Sequence, residues 1–348
     1  MFASFVIITH SYPLSGIPEC DLLCKITKRQ VFFSDIGVKG FFVISGYLIF
    51  QSLERSRSLG HYYSKRLLRL YPGLAAVTLL TVLLAPFVYE NDKIPYFANM
   101  SVLSFIIKNL SLVMNQLTID GVFENNPLNS VINGSLWTIR YEFTMYVILG
   151  FMFFLRSRLT LIRSIIAALF VLFTAGFLFF GEQLESVQMM LNGKLFFELG
   201  IFFFAGSLLS ALRFENIRYK PLLLAISSVM IVVSILFDFY PVAKCFLLPV
   251  VVLLIGIGST PIINRIGSTI GDLSYGIYIY AFPVQQTLMY YHDLNYRQLM
   301  VLSLFISAIL AYCSWHLVEK QALKLKSTLF TKQRPLKPLL STTTPEIH

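Results

Sequence analysis

Read from its amino terminus, the chain alternates long apolar runs with short polar punctuation, and the runs have the length of membrane crossings. Runs near residues 1–18, 36–54, 72–89, 136–155, 161–180, 195–212, 221–238, 241–259, 272–291 and 298–318 predict helices. Ten spans return the chain to the side on which it starts. The stretch 97–114 is weaker, interrupted by Asn99 and Lys108 and followed by Asn115, which predicts an interfacial or re-entrant helix within a long loop. The first run is short: FASFVIIT precedes His10, whereas a helix crossing hydrocarbon needs about 17 to 25 residues. The expected fold is therefore all-α, a polytopic membrane bundle of about ten helices over residues 1–326 with a truncated first helix. The tail 327–348, with Pro335, Pro338 and a run of threonines, lacks periodicity and is expected to be disordered. No internal repeat is visible, so the inverted-repeat signature of transporters is missing.

Composition agrees with this reading. Hydrophobic residues make up 56% of the 348, charged residues 13%, and mean hydropathy is +0.70; about a quarter of an ordinary soluble domain is charged. A soluble globular protein is excluded. The net charge of +10 does not point to nucleic acid, because the basic residues sit in short loops rather than on one polar face. They read as a topology signal and as contacts to lipid headgroups. Segments 55–69, 156–163 and 213–220, Arg265 and the tail from Lys320 hold most of the 28 lysines and arginines, which predicts cytoplasmic termini. Four cysteines do not make a disulfide scaffold. Cys245 and Cys313 lie in apolar runs, and Cys20 and Cys24 are expected to be a free pair in a polar loop, with no metal site.

Ionisable groups at membrane depth are costly, so each is a functional candidate. His10 ends the first apolar stretch and Glu142 stands about seven residues into a later one, within NGSLWTIRYEFTMY. A histidine and a carboxylate are the usual means of drawing a proton from a hydroxyl. The bland alternatives are a histidine bonded to backbone at a helix terminus, and a glutamate neutralised by Arg140 or a neighbouring helix. The segment HYYSKRLLRLYP, residues 61–72, places Lys65, Arg66 and Arg69 at helical spacing where the third span is expected to begin. Positive-inside anchoring explains such a run. A phosphate cradle is the functional alternative, with Arg66 and Arg69 on one face of a helix start. Neither a Walker loop nor a GxGxxG is present, so ATP or NAD in a standard fold is not indicated. Gly37, Gly40 and Gly46 suit close helix packing, with Ser45 bonding a carbonyl inside the span. Tyr275, Tyr278 and Tyr280 are either bundle packing or a sugar-stacking wall before Pro283.

In this order these segments resemble the membrane acyltransferase-3 family, the polytopic acetyltransferases of bacterial surface polysaccharides. The resemblance runs over nearly the whole chain: His10, GVKGFFVISGYLIF, SKRLLRLYP, the stretch from Gly134 through Trp137 to Glu142, SYGIYIYAFP, and the ending SWHLVEKQALKLK with Glu319. It implies an enzyme of the bacterial inner membrane that moves an acetyl group from acetyl-CoA to a hydroxyl of a lipid-linked or cell-surface glycan, with no permanently bound cofactor. By the resemblance, His10 acts as the base, and Glu142 orients it or the acceptor. Lys65, Arg66 and Arg69 meet the donor's phosphates, and Ser45, Trp137, Tyr275 and Tyr278 are the candidate substrate contacts. Two departures stand out. The family's arginine some ten residues before the histidine would fall ahead of Met1, which with the short first span implies a missing amino-terminal lead. Ala281 stands where many members carry a histidine, so no proton transfer is assigned there. The alternatives are a carrier or flippase for lipid-linked glycans, and an inactive, truncated relative.

Overall fold

A computed structural model describes residues 1–188, 190–258 and 271–324. Among these residues the chain is helical, with three isolated β-bridges and no strand. In chain order the helices are α1 (Phe2–Leu14), α2 (Leu22–Ile26), α3 (Phe33–Glu54), α4 (Leu59–Leu84), α5 (Met100–Leu110) and α6 (Trp137–Gly150). They continue as α7 (Leu159–Ser186), α8 (Gly193–Ala211), α9 (Lys220–Leu236), α10 (Tyr240–Ile257), α11 (Ser274–Tyr291) and α12 (Tyr296–Ser314). Short 3₁₀ turns, Gly134–Leu136 and Phe151–Leu155, extend α6 at both ends, and a π-turn, Trp315–Glu319, follows α12. Seven of these elements are long and apolar enough to cross a membrane, whereas α1, α5 and α9 are shorter apolar helices. Exposed Val171, Leu172 and Phe179 on α7, with Leu222, Val229 and Leu236 on α9, form surfaces suited to lipid rather than water. The fold is an all-α polytopic membrane bundle. The expected disordered tail lies outside the described residues.

Several boundaries differ from those the hydropathy pattern predicts. The third span starts at Leu59 rather than near 72, because the Ser58 hydroxyl caps the His61 amide at 3.1 Å and the basic run has good helix formers. Lys65, Arg66 and Arg69 therefore lie in the second and third turns of α4 rather than at the helix start that the phosphate-cradle alternative supposes. Pro72 is enclosed in the same helix, which continues through it. The first helix ends at Leu14, earlier than 18. Cys20 and Cys24 are not a free pair: a disulfide joins them around the short helix α2. The 97–114 stretch contains a helix of 11 residues, too short to span. It buries Val102 and Phe105 against Ala85, Val88 and Val122 and leaves Met100, Leu103 and Ile107 outward, as an interfacial helix does.

The bundle centres on α3 and α8, which approach closely. A Cβ on Gly46 would stand 1.9 Å from the Phe203 carbonyl oxygen, and the Ser207 hydroxyl donates to the Gly46 carbonyl at 3.1 Å. Gly46→Ala is expected to force the helices apart at a cost of about 1–3 kcal/mol, seen as a lower unfolding midpoint of the detergent-solubilised protein. An unchanged midpoint would show that the pair can separate freely. Near one end of these helices the buried Lys39 pairs with Asp35 and, at 2.8 Å, with Glu198, which also accepts from Lys244 of α10 at 2.8 Å. Two cations and two carboxylates thus balance inside the bundle, the arrangement by which ionised groups tolerate such depth.

Candidate functional site

A cavity of about 440 Å³ opens between α3, α4, α6 and α11. Its polar lining comes from Ser45, Arg66, Arg69, Glu142, Tyr146 and Asp272, and Tyr275 and Tyr278 supply an aromatic wall. Of the residues singled out in the sequence, Ser45, Arg66, Arg69, Glu142, Tyr275 and Tyr278 are brought together here. His10, Lys65 and Trp137 are not part of this lining.

Glu142 is held by hydroxyls. The Ser45 hydroxyl donates to its Oε1 at 3.0 Å, and the Tyr146 hydroxyl donates to the same atom. Tyr146 lies four residues after Glu142, so one turn of α6 brings the pair onto one face. The expected partner Arg140 turns elsewhere, donating to the Met190 carbonyl at 2.8 Å. Ser45 does not bond a backbone carbonyl as expected, because the carboxylate across the α3–α6 interface is the stronger acceptor. Glu142→Gln keeps the shape but removes the charge, and is expected to lower the protein's activity about tenfold, the equivalent of one charge-assisted hydrogen bond. Activity at the parent rate in membranes with equal protein would show the charge to be dispensable.

The two arginines differ. Arg69 donates to Asp272 at 2.5 Å, lies 4.0 Å from the buried Glu319, and has its guanidinium over the rings of Tyr275 and Trp315. Arg66 has a lighter hold: its Nη2 donates to the Ser52 hydroxyl at 3.1 Å, and its buried Nε makes no hydrogen bond. Arg66 is thus the guanidinium at the cavity wall with donor capacity to spare. Lys65 points from a neighbouring face of α4, where its Nζ donates to the Ser56 hydroxyl at 3.2 Å. Trp137 packs edge-on to Tyr141, with ring centroids 5.5 Å apart.

One face of α11 connects this basic end to His10. Tyr275, Tyr278 and Phe282 recur at helical spacing on that face. The Tyr275 ring carries Arg69, and the Tyr278 hydroxyl meets that of Thr138 at 2.9 Å. Phe282 lies edge to face with the half-buried His10 imidazole, with centroids 5.4 Å apart. From Tyr278 on the cavity wall to Phe282 is about 6 Å along the helix, and from Tyr275 about 10 Å. His10 therefore sits one turn beyond the cavity wall, at the end remote from Arg69.

A residue not singled out in the sequence, Asn133, completes the site where Pro283 interrupts the hydrogen bonding of α11. Pro283 has no N–H, which leaves the Ile279 carbonyl without its helical donor. The buried Asn133 supplies one, its Nδ2 donating at 2.9 Å. This bond ties the entry of α6 to α11 and seats Gly134 against the Phe282 ring, where a Cβ would come within 2.5 Å. An Asn-Gly pair ahead of a helix and a proline within a distant one are both visible in the sequence, but only the fold brings them together. Among the described residues, no group of three or more His, Cys, Asp and Glu side chains could hold a metal ion.

The fold and the site define a class: a many-helix membrane protein with ionisable side chains gathered in a cavity between its helices. The particular family follows from comparison: residues 1–316 match the acyltransferase domain of the acyltransferase-3 family, and the chain belongs to that family. It is a multi-pass membrane acyltransferase. Its relatives include an O-acetyl transferase of Shigella phage Sf6, 28% identical over 335 residues that cover 92% of this chain and 93% of the relative. Nodulation protein 10 of Rhizobium leguminosarum bv. viciae is 26% identical over 345 residues, 92% of this chain and 88% of the relative. No solved structure matches the chain.

Proposed function

We propose that the protein is an O-acyltransferase that moves an acetyl group from acetyl-CoA to a hydroxyl of a cell-surface or lipid-linked polysaccharide. The observation that carries this reading is the single face of α11 along which the Arg66–Arg69 end, the Glu142 cavity and His10 follow one another. A CoA thioester has its phosphates at one end and its reactive carbonyl at the other, separated by a long arm, and so suits a site with a basic rim and a distant base. Membership of the acyltransferase-3 family and likeness to the phage O-acetyl transferase support acetyl transfer.

In the proposed reaction, His10 accepts the proton of the acceptor hydroxyl as that oxygen attacks the thioester carbonyl. The carbon–sulfur bond breaks, the thiolate leaves, and the proton on the imidazole passes to it. The products are the O-acetyl ester and free CoA. Arg66 takes the phosphates of the donor, while Arg69, already held by Asp272, shapes the rim. Ser45, Tyr146 and Glu142 form a hydroxyl–carboxylate group that orients the acceptor. Tyr275 and Tyr278 give a flat wall for sugar rings.

The same reading puts the Arg69 end of the bundle in the cytoplasm of a bacterial inner membrane. Two independent features support it: the distribution of basic residues, and the Cys20–Cys24 disulfide, which belongs in an oxidising compartment and so favours an external loop between α1 and α3. The test is purified protein in nanodiscs with acetyl-CoA and surface glycan, read by mass spectrometry. The expected product gains the mass of one acetyl group and its appearance matches the release of CoA. CoA release without glycan modification, or neither, would overturn the assignment.

A further inference from the structure

The loop between α1 and α3 contains a device that the reaction scheme leaves unused. Asp21 is fully buried, although it is a carboxylate in a loop. Its Oδ1 accepts from the Cys24 amide at 3.0 Å, and its Oδ2 accepts from the Phe33 amide at 2.8 Å and from the Thr9 hydroxyl at 2.5 Å. The Thr9 hydroxyl in turn accepts from the Ser34 amide at 2.9 Å. Phe33 and Ser34 begin α3, whose first amides have no partner within the helix, so the pair Asp21 and Thr9 caps it. The carboxylate also lies at the positive end of that helix's dipole, which favours its charge. One buried anion therefore joins three helices, and α1 enters the junction through Thr9, the residue immediately before His10.

The cysteines bracket this anion. Cys20 precedes Asp21 and Cys24, buried, supplies one of its amide donors, so their disulfide closes the turn on which the carboxylate is presented. On the opposite side of α1, Gln285 of α11 donates to the Ile7 carbonyl at 3.2 Å and to the Ser11 hydroxyl at 2.9 Å. These bonds flank His10 on either side in sequence. The imidazole itself has the Phe282 ring as its neighbour, which offers no hydrogen bond to set its depth. Its position must come from the backbone of α1.

We infer that Asp21, braced by the Cys20–Cys24 disulfide, is a positioning residue that fixes the register of α1 against α3 through Thr9 and thereby sets the place of His10. Its catalytic consequence rests on the proposed role of His10, but the positioning does not. A displacement of about 1 Å in a reacting group can cost 100-fold in rate, so the device has leverage without touching substrate.

The experiment compares Asp21→Asn, Thr9→Val, Thr9→Ser and the double variant Cys20→Ser, Cys24→Ser in the full-length protein in nanodiscs. Two readouts are taken: kcat and donor KM for acyl transfer, and the rate at which diethyl pyrocarbonate modifies His10, followed by peptide mass spectrometry. Asp21→Asn and Thr9→Val are expected to lower kcat about 10- to 100-fold with donor KM unchanged, and to alter the His10 modification rate several-fold. Thr9→Ser, which keeps the hydroxyl, is expected to restore both. The cysteine variant retains the three hydrogen bonds but loses the brace, and is expected to fall between. Parent values of kcat and of His10 modification in Asp21→Asn and Thr9→Val would overturn the inference. If His10→Ala itself proves fully active, the catalytic role assigned to His10 fails, while the His10 modification rate in Asp21→Asn still decides the positioning.

Discussion

His10→Ala is expected to lower acyl transfer by about 10²- to 10⁴-fold, the range over which a positioned base acts, if His10 is the base proposed. The protein should remain inserted and folded, because the ring meets Phe282 edge-on rather than through a hydrogen bond that holds two helices together. Removing it leaves a modest cavity beside Phe282. The measurement is CoA release in the presence and absence of glycan, set against the amount of folded protein recovered by size-exclusion chromatography. Both should fall together in rate but not in yield. Transfer at the parent rate would remove His10 from the chemistry and return it to helix packing. His10→Gln, which keeps polarity without a titrating ring, is expected to be as inactive as the alanine variant.

Arg66→Ala is expected to raise the KM for the proposed donor, acetyl-CoA, about 10- to 100-fold, the equivalent of one or two hydrogen bonds from a charged donor. The KM for the glycan should stay near the parent value. Arg69 provides the contrast. Its guanidinium is engaged by Asp272, with Glu319 4.0 Å away and two aromatic rings beside it. Arg69→Ala removes that structural junction and is expected to lower folded yield as well as activity. Steady-state kinetics over a range of donor concentrations separates the two outcomes. An unchanged donor KM in Arg66→Ala would return the basic segment of α4 to membrane anchoring.

The class of fold was legible from hydropathy alone, because crossing hydrocarbon demands long apolar runs and satisfied backbone, and both leave a mark in linear sequence. That the 97–114 stretch does not form a full span was legible for the same reason. Helix starts were less so. Hydropathy puts the third span near 72, since Lys65, Arg66 and Arg69 look like an end of apolar sequence, but the side-chain cap at Ser58 decides where the helix begins. Half of the polar cavity was visible as isolated charges in apolar context. Tyr146, Asn133 and Thr138 were not, because hydroxyls and amides occur throughout such helices and carry no signal until a partner is known. The Cys20–Cys24 disulfide was misjudged because pairing depends on how a five-residue turn is closed around Asp21, not on spacing.

The order of residues determined that this chain is a many-helix membrane protein, which ionisable side chains it carries into the bilayer, and the family to which those motifs belong. These are properties of composition and period, and each can be read one segment at a time. Tertiary structure decided which of those side chains meet. It paired Glu142 with Ser45 and Tyr146 rather than Arg140, engaged Arg69 while leaving Arg66 with donors to spare, and set His10 one turn beyond the cavity against Phe282. The physical reason is that a hydrogen bond or ion pair between helices depends on their relative rotation and depth. Those are fixed by packing at points such as Gly46 on Phe203 and by the junction at Asp21, contacts between residues far apart in the chain.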